Sequence, residues 1–379
     1  MTHQQLQFLE LLKAGLWGHP ADLAHFLPEG TDWNEILKIA KEQTVLVVVL
    51  DGIETLPQEL WPSKEAMMKL LMMRIKTSQM HQLLNNTLNL IVNTLNKNGI
   101  PSVLLKGQGV AQNYLKPESR SCGDIDLYTG LEGYQQACKT IETLDISNNC
   151  NKKVESDHHM HQSVNGVEIE VHRHAGMMPG KKLNDNFQKW TKESIDEHFG
   201  TNDLSVWNNN GTCINLATHT FDAFFILHHA VRHMTTGGIG FRQICDWTMY
   251  LHRHHASINT EILRNKLHDY RMTDVWEEFG IIAVNYLGLP INELPLAPTS
   301  LESSKTRLIL DQIFISGNFG HADAHRKYNR EKTYIKRKWR DFSYQSSRLI
   351  MLFRIFPSYT CSYATNWFLD GLRRLLAHQ

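Results

Sequence analysis

With 379 residues the chain exceeds what one ordinary core organises, so two or three packed units are expected. Lys plus Arg equals Asp plus Glu at 39 each, which excludes a global field that recruits nucleic acid or an anionic membrane; any such attraction is local. The six cysteines (Cys122, Cys138, Cys150, Cys213, Cys245, Cys361) are scattered without a CxxC, which argues for reduced thiols and against a disulfide framework or zinc ribbon.

Met1 to Trp17 shows no basic leader followed by an apolar core and a small-residue cleavage site. The longest aliphatic run, Val45 to Leu50, is far short of a membrane span, so the expectation is a soluble cytoplasmic protein without a membrane partner. Apolar residues recur at helical spacing from Trp33 to about Leu50 and from Ser63 to Asn98, with Leu84, Leu88, Ile91 and Leu95 as a stripe. Ser63 suits an N-cap and Gly99 the residue after the last turn, so residues 1–97 read as a helical region.

The pattern changes at Gly99. Short apolar runs at Ser102 to Leu105 and Ile125 to Thr129 predict strands, with a helix-compatible stretch ending near Leu115 between them and a helix from about Leu131 to Leu144 after them. His158 to Val164 and Val167 to His174 flank Asn165-Gly166, the dipeptide that best accepts the two positive φ angles of a type I′ turn, and predict a hairpin. The expected fold class is α+β: a small mixed β-sheet core over 98–210 between an N-terminal helical region and a C-terminal one, 211–379. The latter reads as helices at Thr218 to Met234, Phe241 to His255, Glu261 to Tyr270 and Asp274 to Leu287, with more beyond Ser304.

The chemistry concentrates in Gly123-Asp124-Ile125-Asp126-Leu127. Side chains alternate along a strand, so Asp124 and Asp126 share one side while Ile125 and Leu127 take the core side. Two carboxylates held together call for a cation, and oxygen ligands select Mg2+ or Mn2+. In Val167 to His172 the polar side carries Glu168, Glu170 and His172; if this strand lies beside Asp126, one glutamate joins the metal site. His172 is expected to make a structural hydrogen bond there. Lys106-Gly107-Gln108-Gly109 ends a strand and opens a helix, where backbone amides suit a phosphate, and Lys106 or Arg120 can neutralise a triphosphate. A metal pair beside a phosphate-receiving turn describes in-line phosphoryl or nucleotidyl transfer.

The run from Leu104-Leu105-Lys106-Gly107 through Tyr114-Leu115, Arg120 and Gly123 to Asp124-Ile125-Asp126 resembles the uncharacterised bacterial nucleotidyltransferases of the DNA polymerase beta-like superfamily. Glu170-Val171-His172 is similar to that family's glutamate, apolar, histidine strand, and His229 to His233, Phe241-Arg242 to Asp246 and the approach to Phe356-Pro357 are similar to its helical half. The resemblance implies metal ligation by Asp124 and Asp126 with Glu170, in preference to Glu168, as third acid. It implies Lys106, Gly107, Gln108, Arg120 and Gly123 about the nucleotide. The chain has Lys106-Gly107 where the superfamily usually has glycine-serine, and glutamate where its third acid is usually aspartate; the resembled family shares both features. The implied reaction moves a nucleoside monophosphate from an NTP to an acceptor hydroxyl, with a small molecule as the foremost acceptor class.

Other features have plainer readings. Arg242 and Asp246 stand one turn apart, the spacing of an intrahelical ion pair. His229 and His233 share a helix face, and with His158, His159 and His161 they define a rival zinc hydrolase. A second rival is a catalytically inactive member that binds nucleotide or protein. Lys327 to Arg340, basic and interleaved with aromatics, is the segment through which RNA or a protein acceptor would bind.

Overall fold

The structure, a computed structural model, describes residues 1–26, 30–144, 159–318 and 334–377. Helices α1 (His3–Trp17), α2 (Trp33–Glu42), α3 (Leu46–Ile53) and α4 (Lys64–Lys97) precede β1 (Val103–Leu105), α5 (Gly107–Ala111), β2 (Asp124–Tyr128) and α6 (Gly130–Glu142). The hairpin β3 (His159–Val164) and β4 (Val167–His172) follows, then α7 (Lys181–Ser194) and a second hairpin, β5 (Ser205–Asn209) and β6 (Thr212–Leu216). The chain closes with α8 (His219–Thr236), α9 (Phe241–His254), α10 (Thr260–Asp269), α11 (Thr273–Leu287), α12 (Ser304–Ser316), α13 (Tyr334–Ile355) and α14 (Pro357–Ala377). The fold is α+β, with a small mixed sheet and helices before and after it.

Two compact units divide these elements. One is built from Met1–Pro62, Met178–Leu183 and Ala223–Gln379, the other from Ser63–Met177 and Asn184–Asp222. In the first, the helical signal from Trp33 to Leu50 resolves into α2 and α3 because Thr44 takes a left-handed φ of 55° and breaks the ladder. α1 and α3 cross at Gly15 and Gly52; a Cβ on either would collide with the facing backbone at Val48 or Leu11, so only glycine permits that approach.

The second unit positions the chemistry. Its sheet has strand order β1-β2-β4-β3, with β2 and β4 parallel and the outer pairings antiparallel. Asn165 and Gly166 have φ of 54° and 78°, as a type I′ turn requires, and so set Val164 opposite Val167. Ser63 Oγ accepts from Ala66 N at 3.3 Å and Gly99 takes φ 68°, which bounds α4 as the capping signals predict. The stripe Leu84, Leu88, Ile91 and Leu95 is fully buried against Leu104, Ile125, Leu127, Ile169 and Val171, and α6 closes the same face through Tyr134, Ala137 and Ile141. Burying several such side chains, at about 1.5–3 kcal/mol each, fixes which way the strands face.

Three elements had no sequence expectation: α7 and the two strands of the β5/β6 hairpin. The latter turns on Asn210-Gly211, with φ of 49° and 92°, the same dipeptide that marked the first hairpin. No described helix is long and apolar enough to cross a membrane. Cys122, Cys138, Cys213, Cys245 and Cys361 are free thiols; Cys150 lies outside the described residues.

Candidate active site

β2 presents Asp124 and Asp126 opposite the core face, and the parallel ladder sets Glu168 beside Asp124 and Glu170 beside Asp126. The neighbouring strand β3 sets His161 beside Glu170. Asp126 is buried at 3% exposure. Its Oδ1 accepts from His172 Nε2 at 2.8 Å and lies 3.2 Å from Lys106 Nζ. Glu170 reaches both ways: Oε2 lies 3.5 Å from His172 Nε2, and Oε1 lies 3.5 Å from His161 Nδ1. His161 Nδ1 donates to Glu168 Oε1 at 2.8 Å.

Burial alone would raise the Asp126 carboxyl, but the Lys106 charge and the His172 hydrogen bond and charge outweigh it and hold the group well below the usual carboxylate range. For His172 burial works against the charged ring, yet hydrogen bonds to Asp126 and Glu170 leave it raised above its ordinary value. Asp126, Glu170 and His172 offer donor atoms that all lie within 4.8 Å of one another, as do His161, Glu168 and Glu170. Both groups can hold a metal ion. Asp124, half-buried at the start of β2, belongs to neither group. Each group includes an imidazole nitrogen beside its carboxylates, because β4 and β3 carry histidines on the face that carries the acids.

Lys106 holds an unusual backbone, φ 55° and ψ −139°, followed by Gly107 at φ 47°. A side chain in that region costs about 1–3 kcal/mol, and here it aims Nζ at Asp126. β1 ends at Leu105 and a helix opens at Gly107, as the sequence expects, although α5 is only five residues long. The Gln108 side chain is fully buried against α4, with Nε2 donating to Asn85 Oδ1 at 2.6 Å and lying 3.3 Å from His81 Nδ1. His81 Nε2 in turn donates to the Arg120 carbonyl at 2.6 Å, and burial lowers the ring's pKa, consistent with a neutral ring accepting at Nδ1. Arg120 is buried and Nη1 donates to Cys122 Sγ at 2.6 Å, so α4 and this arginine brace the loop that delivers exposed Gly123 and Asp124.

The remaining expectations fall in the helical unit. His229 and His233 stand on α8 with their Nε2 atoms 3.0 Å apart, and Arg242 and Asp246 stand on α9. Among the described residues, no group of three or more metal-binding side chains includes His229 or His233. His158 and, of Lys327 to Arg340, residues 327–333 lie outside the described residues. Counting back from the Asn165-Gly166 turn places His161 beside Glu170, apart from the other histidines of the zinc expectation.

Residues 29–288 match the family model described as "uncharacterised nucleotidyltransferase". A solved structure, an antigenic nucleotidyltransferase-like protein from Paracoccidioides brasiliensis, is similar over 44% of this chain and 75% of its own, at 14% identity and a TM-score of 0.28, a likeness too loose to carry an argument. No curated protein matches the chain. Because the family match spans well over half of the sequence, the chain belongs to this family of uncharacterised nucleotidyltransferases.

Proposed function

We propose that the protein transfers a nucleoside monophosphate from an NTP to an acceptor hydroxyl on the polar face of β2 and β4. The observation that carries this reading is the pairing of Asp126 with Glu170 on adjacent parallel strands, with Lys106 at 3.2 Å from the aspartate. A pair of divalent cations such as Mg2+ or Mn2+, held by Asp124, Asp126 and Glu170, would supply charge neutralisation for the polyphosphate and acidify the acceptor hydroxyl. Asp124 joins by rotation of its side chain from the strand face it already shares.

The chain's own groups do the rest. Lys106 moves its ammonium from Asp126 to the phosphates, and the strained turn at Lys106-Gly107 keeps that reach short. His172 holds the Asp126 carboxylate in one orientation through its hydrogen bond. The acceptor oxygen bonds to the α-phosphorus as the bond to the β-phosphate bridge breaks and pyrophosphate leaves; the hydroxyl proton goes to Glu170. A small molecule is the proposed acceptor class.

The test is incubation with each labelled NTP, magnesium or manganese and a panel of acceptors, beside an Asp126→Asn control. Turnover that the substitution leaves unchanged refutes the assignment. A second reading, a member that binds nucleotide without turnover, draws on Asp126 already having Lys106 and His172 as partners. Calorimetry that finds NTP binding while every acceptor stays unmodified selects it.

A further inference from the structure

We infer that the outward face of α13, together with Trp367 of α14, binds single-stranded RNA, stacking bases on a run of aromatic rings and holding phosphates along a row of cations and hydroxyls. The inference concerns the helical unit alone and does not depend on the reaction at the sheet.

The helix has two unlike faces. Arg348, Leu349, Leu352 and Ile355 are buried. Arg348 Nε donates to the Met234 carbonyl at 2.6 Å and Gln345 Nε2 to that of Thr235 at 2.8 Å, so α13 is held in one rotation against the end of α8. On the other face Trp339 is 73% exposed, and Phe342, Ile350 and Phe353 are exposed as well. Large apolar side chains exposed together, unlike single ones, mark a binding surface. Three of the rings are already stacked. Phe342 lies against Trp339 with centroids 6.0 Å apart and planes 29° from parallel, and against Trp367 at 5.6 Å and 23°. The run ends in the open at Trp339, so a base can extend it, and such stacking accepts any base because each has a π face.

Beside the rings, Arg340, Ser343, Ser347 and Arg354 follow at steps of three, four and seven, the spacing of one edge of a helix. Ser343, Ser347 and Arg354 are exposed and Arg340 is half-buried; among the described residues neither arginine has a carboxylate partner. The row spans roughly 21 Å at about 1.5 Å per residue, room for several phosphates. Over its length α13 has Lys336, Arg337, Lys338, Arg340, Arg348 and Arg354 against Asp341 alone, an excess of positive charge in a chain that is neutral as a whole. An anionic strand matches that charge. A membrane surface fits less well, because Ser343, Ser346 and Ser347 interrupt the apolar stripe, and a second copy would bring like charge against like. RNA is the strand that offers unpaired bases.

The test is fluorescence anisotropy of a labelled oligouridine of about twelve nucleotides with the full chain, over a range of salt. Wild type is expected to bind with an affinity that falls as salt rises. Trp339→Ala should weaken binding about tenfold at every salt concentration, and Trp339→Phe should restore most of it. Arg354→Ala should lower the slope of log K against log salt by about 0.7, the contribution of one phosphate contact on a single strand. Both side chains are exposed, so circular dichroism stays unchanged; Leu131→Ala, exposed in the other unit, is the control that leaves binding as it was. Binding indifferent to Trp339→Ala or to salt overturns the inference, as does a preference for duplex RNA of equal length. Attachment to phosphatidylserine vesicles, or self-association lost in Trp339→Ala, without oligouridine binding overturns it too and assigns the face to a membrane or to a second copy.

Discussion

One face of β2 and β4 carries Ile125, Leu127, Ile169 and Val171, all fully buried; the other, on the same backbone and one residue out of phase, carries Asp124, Asp126, Glu168 and Glu170. The difference shows how a sheet can hold like charges together. A slip of one residue in either strand would send the acids into the core and the aliphatics to the surface, so the apolar face enforces the register that sets acid beside acid. Packing supplies the stability and the polar face supplies the chemistry.

The sharpest way to break that division is Asp126→Asn. It is expected to lower nucleotide turnover on the order of a thousandfold, about 4 kcal/mol in barrier, while the protein stays folded; activity and circular dichroism measured on one preparation decide it. Its mirror image on the other face is Ile169→Ala, which opens a cavity in the core and should cost about 2–5 kcal/mol in urea unfolding, with turnover per folded molecule retained. If the two variants exchange phenotypes, the division of labour is wrong.

Two buried histidines extend the comparison to pH. His172 sits among carboxylates and is raised above its ordinary value of 6.5, whereas His228 in α8, stacked on Phe224, is pushed down to about 3 by burial and then by the Arg232 charge. The signs are opposite. The contribution of His172 is full below pH 6.5 and is lost as pH rises through its folded value; that of His228 is full above 6.5 and is lost as pH falls toward 3. In chelated protein, urea midpoints at acid, neutral and alkaline pH should show His228→Phe flattening the acid limb by about 2–4 kcal/mol and His172→Gln flattening the alkaline limb. The smallest expected effect is that of Glu168→Gln on stability without metal: the side chain is 60% exposed, so the melting curve should move by less than about 0.5 kcal/mol.

Local patterns carried far in this chain. Alternation along Asp124 to Leu127 assigned each side chain its face, Asn165-Gly166 fixed the first hairpin, and Ser63 and Gly99 bounded α4, because each is decided by neighbours within a few residues. The same dipeptide at Asn210-Gly211 was equally readable. The breaks at Thr44 and Lys106 were not, since left-handed φ at a residue other than glycine or asparagine is imposed by packing and has no local signature.

By itself the sequence determined the acids, their strands and the face they occupy. Only the tertiary structure decided that β2 pairs in parallel with β4, that Glu170 stands level with Asp126, and that His172 and Lys106 converge on a single oxygen of that aspartate. The physical reason is separation along the chain. Those partners lie 20 to 46 residues from Asp126, and which strands meet depends on how α4 and α6 bury one face of the sheet, a balance summed over the whole unit.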